Sequence, residues 1–282
     1  MEQQLLWLFG LALVRDHKIR QRDLRKDQGP EIGFAARYIL DALEIEIVEP
    51  EADVLDKLLK KFGGKFPNTR AFSEFARKSL ADVSASGNPD ATIMAWIERE
   101  EALFRRLERH IVAQRLTKGF MGKDGADIDG FIKFSLSVQN RRKARVGQAL
   151  EHHLEALFNA HQVQFARGAE TENRNKPDFL FPGPREYQDQ GFPVANLTML
   201  GAKSTCKDRW RQVLSEAERI KEKHLFTLEP GISENQTDEM QAKRLQLVLP
   251  IALHQTYRKT QQPWLMKLED FVLLVKSRQP NQ

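Results

Sequence analysis

Through the first 130 positions, apolar residues recur at a spacing of three to four. In "EADVLDKLLKKF" they fall at Val54, Leu55, Leu58, Leu59 and Phe62, which lines one side of an amphipathic helix. "GGKFPN" follows, and Gly63 and Gly64 predict where that helix stops. "TRAFSEFARKSLADV" predicts a second helix of the same kind. "SGNPD" predicts a loop, with Asn88 or Asp90 available to cap what comes next. "ATIMAWIEREEALFRRLERHIVAQRL" predicts a long third helix, with Ile93, Trp96, Ile97, Leu103, Phe104, Leu107 and Ile111 on one side. Its acidic and basic residues alternate at helical spacing on the wet face.

"KGFMGKDGADIDG" is glycine-rich and marks a loop or a subdomain boundary. "FIKFSLSVQ" alternates weakly and fits a short strand or a helix. "RRKARVGQALEHHLEALFNAHQ" predicts a helix that buries Val146, Leu150, Leu154, Leu157 and Phe158. Beyond it the pattern changes. "VQFAR", "PDFLFPG", "LTMLGAKST", "HLFTLE" and "LQLVLPIAL" are short apolar runs of strand length. "DRWRQVLSEAERIKE" reads as a helix between two of them, and "GISENQ" as a loop leading into a helix near Ser233. Alternating strands and helices predict an α/β core around a mixed sheet. The expected organisation is a mostly helical N-terminal subdomain over 1–130, for DNA binding or dimerisation, and a core over 131–282.

Composition narrows the class. Of 282 residues, 41% are hydrophobic and 29% charged, the balance of a soluble globular chain. No apolar run reaches the roughly 18 residues of a membrane span. The apolar run Leu5 to Val14 follows Glu2, with no basic residues before it and no small-residue cleavage site after it, so it is expected to be a packed helix. One cysteine, Cys206, rules out an internal disulfide and fits a reducing cytoplasm. A formal net charge of +5 permits a nucleic-acid partner without requiring one.

Four residues carry candidate chemistry. Asp178 follows Pro177 at the start of one apolar run. Lys203 ends the next, after Gly201. Glu216 falls in the helix expected to follow, and Glu151 on the helix before the sheet. An α/β core can bring all four to one edge. Metal-assisted phosphodiester hydrolysis needs such a set: carboxylates suit a hard cation such as Mg²⁺, and a neighbouring lysine orients water and offsets charge on phosphorus.

The stretch from "NRRKARVGQALEHHLEALF" through "KPDFLFPG", "LGAKSTCKDRWRQVLSEAERI" and "KHLFTLEPGISENQTDEM" resembles the catalytic domain of EcoRII-type restriction endonucleases, which belong to the PD-(D/E)XK nuclease fold. The resemblance covers roughly residues 90 to 275, and "AKSTCKDRWRQ" is its most specific part. In that family the usual second acid before the lysine is missing and is replaced by one further on. Here Gly201 stands in the acid's usual place and Glu216 supplies the displaced carboxylate. The resemblance implies that Asp178 and Glu216 hold metal, that Lys203 is the catalytic lysine, and that Glu151 is an accessory acid, with Glu155 its rival. It also implies that Lys207, Asp208 and Arg209 read CC·GG base pairs in the major groove. The chemistry agrees, because Arg bonds guanine O6 and N7 and Asp accepts from cytosine N4.

The resemblance therefore implies a Mg²⁺-dependent type II site-specific deoxyribonuclease. It would cut double-stranded DNA at a CC-N-GG-type site, with CCWGG the leading candidate, and leave 5'-phosphates. A homodimer is expected on a palindromic site, with a cognate DNA methyltransferase in the same system. The first 90 residues are short and helical for an added effector domain, so a stand-alone enzyme is expected. The alternative is a repair or junction nuclease of the same fold. Among weaker candidates, Arg142 in "RRKAR" is expected to contact phosphate, which positions without specifying. His152 and His153 are adjacent and face different ways on a helix, which argues against a shared metal. Trp210 is expected to pack behind the reading segment.

Overall fold

A computed structural model describes residues 52–122, 125–206 and 209–279. The helix expected over 5–14 lies outside these residues, as do Lys207 and Asp208.

Three helices open the described chain: α1 (Ala52–Phe62), α2 (Thr69–Lys78) and α3 (Pro89–Lys118). Gly63 and Gly64 both take positive φ, as a helix stop requires, and the Gly63 amide donates back to the Leu59 carbonyl at 2.8 Å. Asn68 caps α2 by accepting from the Arg70 amide at 2.8 Å. Asn88 caps α3 through the Ala91 amide at 3.0 Å. Leu58, Phe72, Ala76, Leu103, Phe104 and Leu107 close a hydrophobic cluster between the three helices. Asp90 serves a different end from the one expected. Its buried carboxylate accepts from the amides of Ile251 at 2.8 Å, Leu268 at 3.1 Å and Glu269 at 2.9 Å. It thereby ties the start of α3 to two C-terminal segments distant in sequence.

Two short strands, β1 (Met121–Gly122) and β2 (Gly125–Ala126), pair antiparallel and lead into α4 (Ile128–Ala160). The ambiguous "FIKFSLSVQ" is therefore helix, and the boundary expected near residue 130 falls in its first turn. Residues Glu49–Gln282 pack as one unit. The first half of α4 is largely exposed, and so is Val146 at 38%, contrary to the reading of its pattern. Leu150, Leu154, Leu157 and Phe158 are buried as expected.

The core sheet has five strands in the order β3 (Ala166–Arg167), β4 (Phe179–Phe181), β5 (Thr198–Lys203), β6 (Lys223–Thr227), β7 (Leu245–Val248). The β3–β4 and β4–β5 pairs are antiparallel; the β5–β6 and β6–β7 pairs are parallel. A parallel sheet is covered on both faces, so its strands read as continuous apolar runs. β6 is buried along its whole length. On one face Phe158 of α4 meets Phe179, Phe181 and Phe271, the last from α9 (Leu268–Arg278). Between β4 and α9 lie α5 (Pro184–Gln188), α6 (Trp210–Val213), α7 (Glu234–Ala242) and α8 (Ile251–His254). α6 is a single turn whose Trp210 and Val213 are fully buried, which agrees with the packing role expected of Trp210. Among the described residues no helix is long and apolar enough to cross a membrane.

Candidate active site

Asp178 immediately precedes β4, and Lys203 is the last residue of β5. The antiparallel register puts Phe179 opposite Leu200, so the two side chains emerge at the same edge. Lys203 Nζ donates to Asp178 Oδ2 at 2.6 Å, and the Ala202 amide donates to the same oxygen at 2.6 Å. Both side chains are mostly buried. The pair that the sequence spacing singles out is thus in direct contact.

Glu216 departs from its expected setting. The helix expected over "DRWRQVLSEAERIKE" stops at Val213 after one turn, and Glu216 lies in the bend beyond it. The physical reason is tertiary. Ala217 takes a positive φ of 49°, which ends any right-handed helix there. The peptide groups around Glu216 are held by side chains from elsewhere. Asn175 Nδ2 donates to the Ser215 carbonyl at 2.8 Å. Lys223 Nζ donates to the carbonyls of Glu216 and of Ala217, the latter at 2.9 Å. The Ala217 amide donates to Thr171 Oγ1 at 3.3 Å, and the Glu218 amide to Glu172 Oε2 at 3.1 Å. A clamp from the loop before β4 and the first residue of β6 therefore sets Glu216.

Burial, joined by the Asp178 charge and opposed by Lys203 and Lys223, brings the Glu216 carboxyl up to about 7. Its Oε2 is buried with no hydrogen-bond partner. Gly201 explains why the carboxylate comes from this segment. A Cβ at position 201 would lie 2.8 Å from a Val213 methyl, so packing of α6 leaves no room for an acid on β5 there.

Glu151 and Glu155 share one guanidinium. Arg167 of β3 donates to Glu151 Oε2 at 2.5 Å and to Glu155 Oε2 at 2.6 Å. The two acids then differ. Burial raises the Glu151 pKa, with the Asp178 charge adding to it and Lys203 opposing. Glu155 turns away to Arg70 at 3.0 Å, and its pKa falls because Arg167 and Arg70 outweigh burial. Glu151 is the one that feels the Asp178–Lys203 pair.

A divalent cation can be tested against this set. Among the described residues no three His, Cys, Asp or Glu side chains are placed to hold a metal by themselves. Asp178 and the buried, unpartnered Oε2 of Glu216 nonetheless fit a hard cation that takes one or two carboxylates and fills its remaining positions with water and phosphate oxygens. The histidines do not contribute. His153 is fully buried against Glu100 at 2.8 Å, while His152 meets Arg167 at 3.1 Å. They diverge as their adjacency on a helix requires.

The residues expected to contact DNA are placed in part. Arg209 is exposed just before α6. Arg142 is exposed at 59%, and its guanidinium pairs with the buried carboxylate of Glu108 at 2.6 Å. Residue patterns did not point to Arg167, Lys223, Thr171 or Asn175. Lys223 reads as an ordinary charge flanking a strand, and nothing in the spacing announces that it is buried.

Known proteins were compared with this arrangement. The family described as EcoRII C terminal matches residues 104–272, which include all four candidate chemical residues. The chain belongs to the EcoRII C-terminal family. It is 42% identical over 209 residues to the type II restriction enzyme EcoRII of Escherichia coli, spanning 74% of this chain and 50% of that protein. This member therefore matches about half the length of that relative. Two solved structures share the fold. A metal-depleted Ecl18kI in complex with uncleaved, modified DNA superposes with a TM-score of 0.64 at 19% identity, covering 82% of this chain and 85% of that one. A restriction endonuclease PspGI–substrate DNA complex superposes with a TM-score of 0.62 at 13% identity, covering 76% and 93%. The EcoRII C-terminal chain thus has the PD-(D/E)XK fold expected from its sequence.

Proposed function

We propose that this protein is a type II restriction endonuclease that hydrolyses phosphodiester bonds of double-stranded DNA with Mg²⁺. The observation that carries the reading is the contact of Lys203 Nζ with Asp178 Oδ2 at 2.6 Å, beside the unpartnered buried carboxylate of Glu216. Asp178 and Glu216 would hold the metal, and Mg²⁺ there would supply Lewis-acid polarisation of the scissile phosphate and a more acidic water. Lys203 lies at the same edge, where its amino group would orient the attacking water and offset charge building on the phosphate. Glu216 would serve as a ligand in its ionised form, and Lys223 holds the backbone on which it sits. Glu151, steadied by Arg167, adds a second negative group near Asp178.

Lys207, Asp208 and Arg209 read the outer CC·GG pairs. The site is of the CC-N-GG type, with CCWGG the leading candidate, and the products carry 5'-phosphates. A palindromic site is matched by a homodimer in the cytoplasm, paired with a DNA methyltransferase that protects the host. The test is a plasmid digest with and without Mg²⁺, using Lys203→Ala as control. Discrete fragments that require Mg²⁺ and Lys203 support the reading. A smear, or cutting that survives the substitution, contradicts it.

A further inference from the structure

The segment after Lys203 is fastened beside the end of the neighbouring strand through the Cys206 amide. β5 and β6 are parallel, with Lys203 opposite Thr227. Past these ends the two chains continue side by side. The Cys206 amide donates to Glu229 Oε2, and the Cys206 carbonyl accepts from the Arg209 amide at 2.7 Å. Cys206 is itself buried, so the start of the turn is fixed, while Arg209 at its end is exposed. Glu229 is held in turn. Its amide donates to Thr227 Oγ1 at 3.2 Å, and its carbonyl accepts from the hydroxyl of buried Tyr257 at 2.7 Å.

We propose that Glu229 is a positioning residue for site recognition, anchoring through the Cys206 amide the segment whose Cys206 carbonyl accepts from the Arg209 amide. The proposal rests on the reading of that turn given above. Only Ser204 and Thr205 separate Lys203 from Cys206, so the same anchor sets Arg209 relative to Lys203. A carboxylate accepting from a backbone amide makes a charge-assisted bond, about twice as strong as a neutral one. Without it the turn can shift. Base contacts depend on such placement, whereas general phosphate attraction does not.

The experiment compares wild type, Glu229→Ala, Glu229→Gln and Arg209→Ala. Cleavage rates are measured on a duplex carrying the preferred site and on duplexes with one outer pair changed, and thermal unfolding is followed in parallel. Glu229→Ala is expected to lower the ratio of cognate to altered-site cleavage by about tenfold or more. Its affinity for unrelated DNA should stay within about twofold. Glu229→Gln keeps an oxygen that can accept from the Cys206 amide and should retain most of the discrimination, an outcome that general loss of stability would not produce. If the alanine variant does not fold, Glu229→Asp, which keeps the charge but falls short of the amide, carries the same expectation. Wild-type discrimination in Glu229→Ala or Glu229→Asp, alongside its loss in Arg209→Ala, overturns the role of Glu229 alone. Wild-type discrimination in Arg209→Ala overturns the reading of the turn and this proposal with it.

Discussion

Lys203 Nζ stands 2.6 Å from Asp178 Oδ2, across the antiparallel join of β4 and β5. The Ala202 amide shares that oxygen, so Asp178 is oriented from two sides by the strand that carries the lysine. Asp178→Ala and Lys203→Ala are each expected to lower cleavage by about a thousandfold or more. Lys203→Ala should still shift specific DNA in a gel. Near-normal cutting by either variant would remove the pair from the chemistry.

Glu216 and Glu218 offer an internal comparison. Glu216 is buried and unpartnered at Oε2, whereas Glu218 is exposed and accepts from Asn173 Nδ2 at 2.8 Å. Glu216→Gln keeps the shape and loses the charge, so activity should fall strongly and recover in part at raised Mg²⁺ or Mn²⁺. Glu218→Gln should be mild. Activities measured across a Mg²⁺ titration decide, and equal effects would undo the distinction.

How far the sequence foretold this site depends on what each residue answers to. Asp178 and Lys203 were legible because one apolar strand-like run begins beside Asp178 and the next ends at Lys203. Glu216 was singled out as a carboxylate in the segment after Lys203, but its assignment to a helix was wrong. The segment is amphipathic enough to read as helix, but Thr171, Asn175 and Lys223 take up its peptide groups, and Ala217 turns left-handed. Such a clamp leaves no periodic trace. The same holds for Asp90, which looked like a cap for its own helix and instead binds amides near residues 251 and 268.

Arg142 carries a stability role whatever it does to DNA. Its guanidinium pairs at 2.6 Å with Glu108, whose side chain is only 3% exposed. Arg142→Ala should therefore lower the melting temperature, since removing one partner leaves a buried carboxylate less well compensated. If Arg142 also meets phosphate, binding to all sequences should weaken alike and the salt slope should become shallower. Scanning calorimetry and salt-dependent binding separate the two contributions. An unchanged melting temperature would contradict the first.

Burial holds His224 down to about 4, with the Arg278 charge acting the same way, against an ordinary value of 6.5. Between those values the unfolded chain takes up the proton and the folded one does not. The contribution is therefore complete above about pH 6.5 and is lost as pH falls towards 4, on the order of 3 kcal/mol. His224→Gln should flatten this part of the stability profile while costing some stability at neutral pH. Denaturant melts at pH 7 and 4.5 provide the check. A pH dependence as steep as wild type would exclude His224 as a source.

The central claim joins a cutting edge at Asp178, Lys203 and Glu216 to a reading turn at Lys207, Asp208 and Arg209. Sequencing the fragment ends of a complete digest tests both halves at once. The account predicts discrete ends that all map to a CC-N-GG-type site, with CCWGG foremost. Discrete ends that carry neither CC nor GG would contradict the reading turn, and random ends would contradict site-specific cleavage altogether.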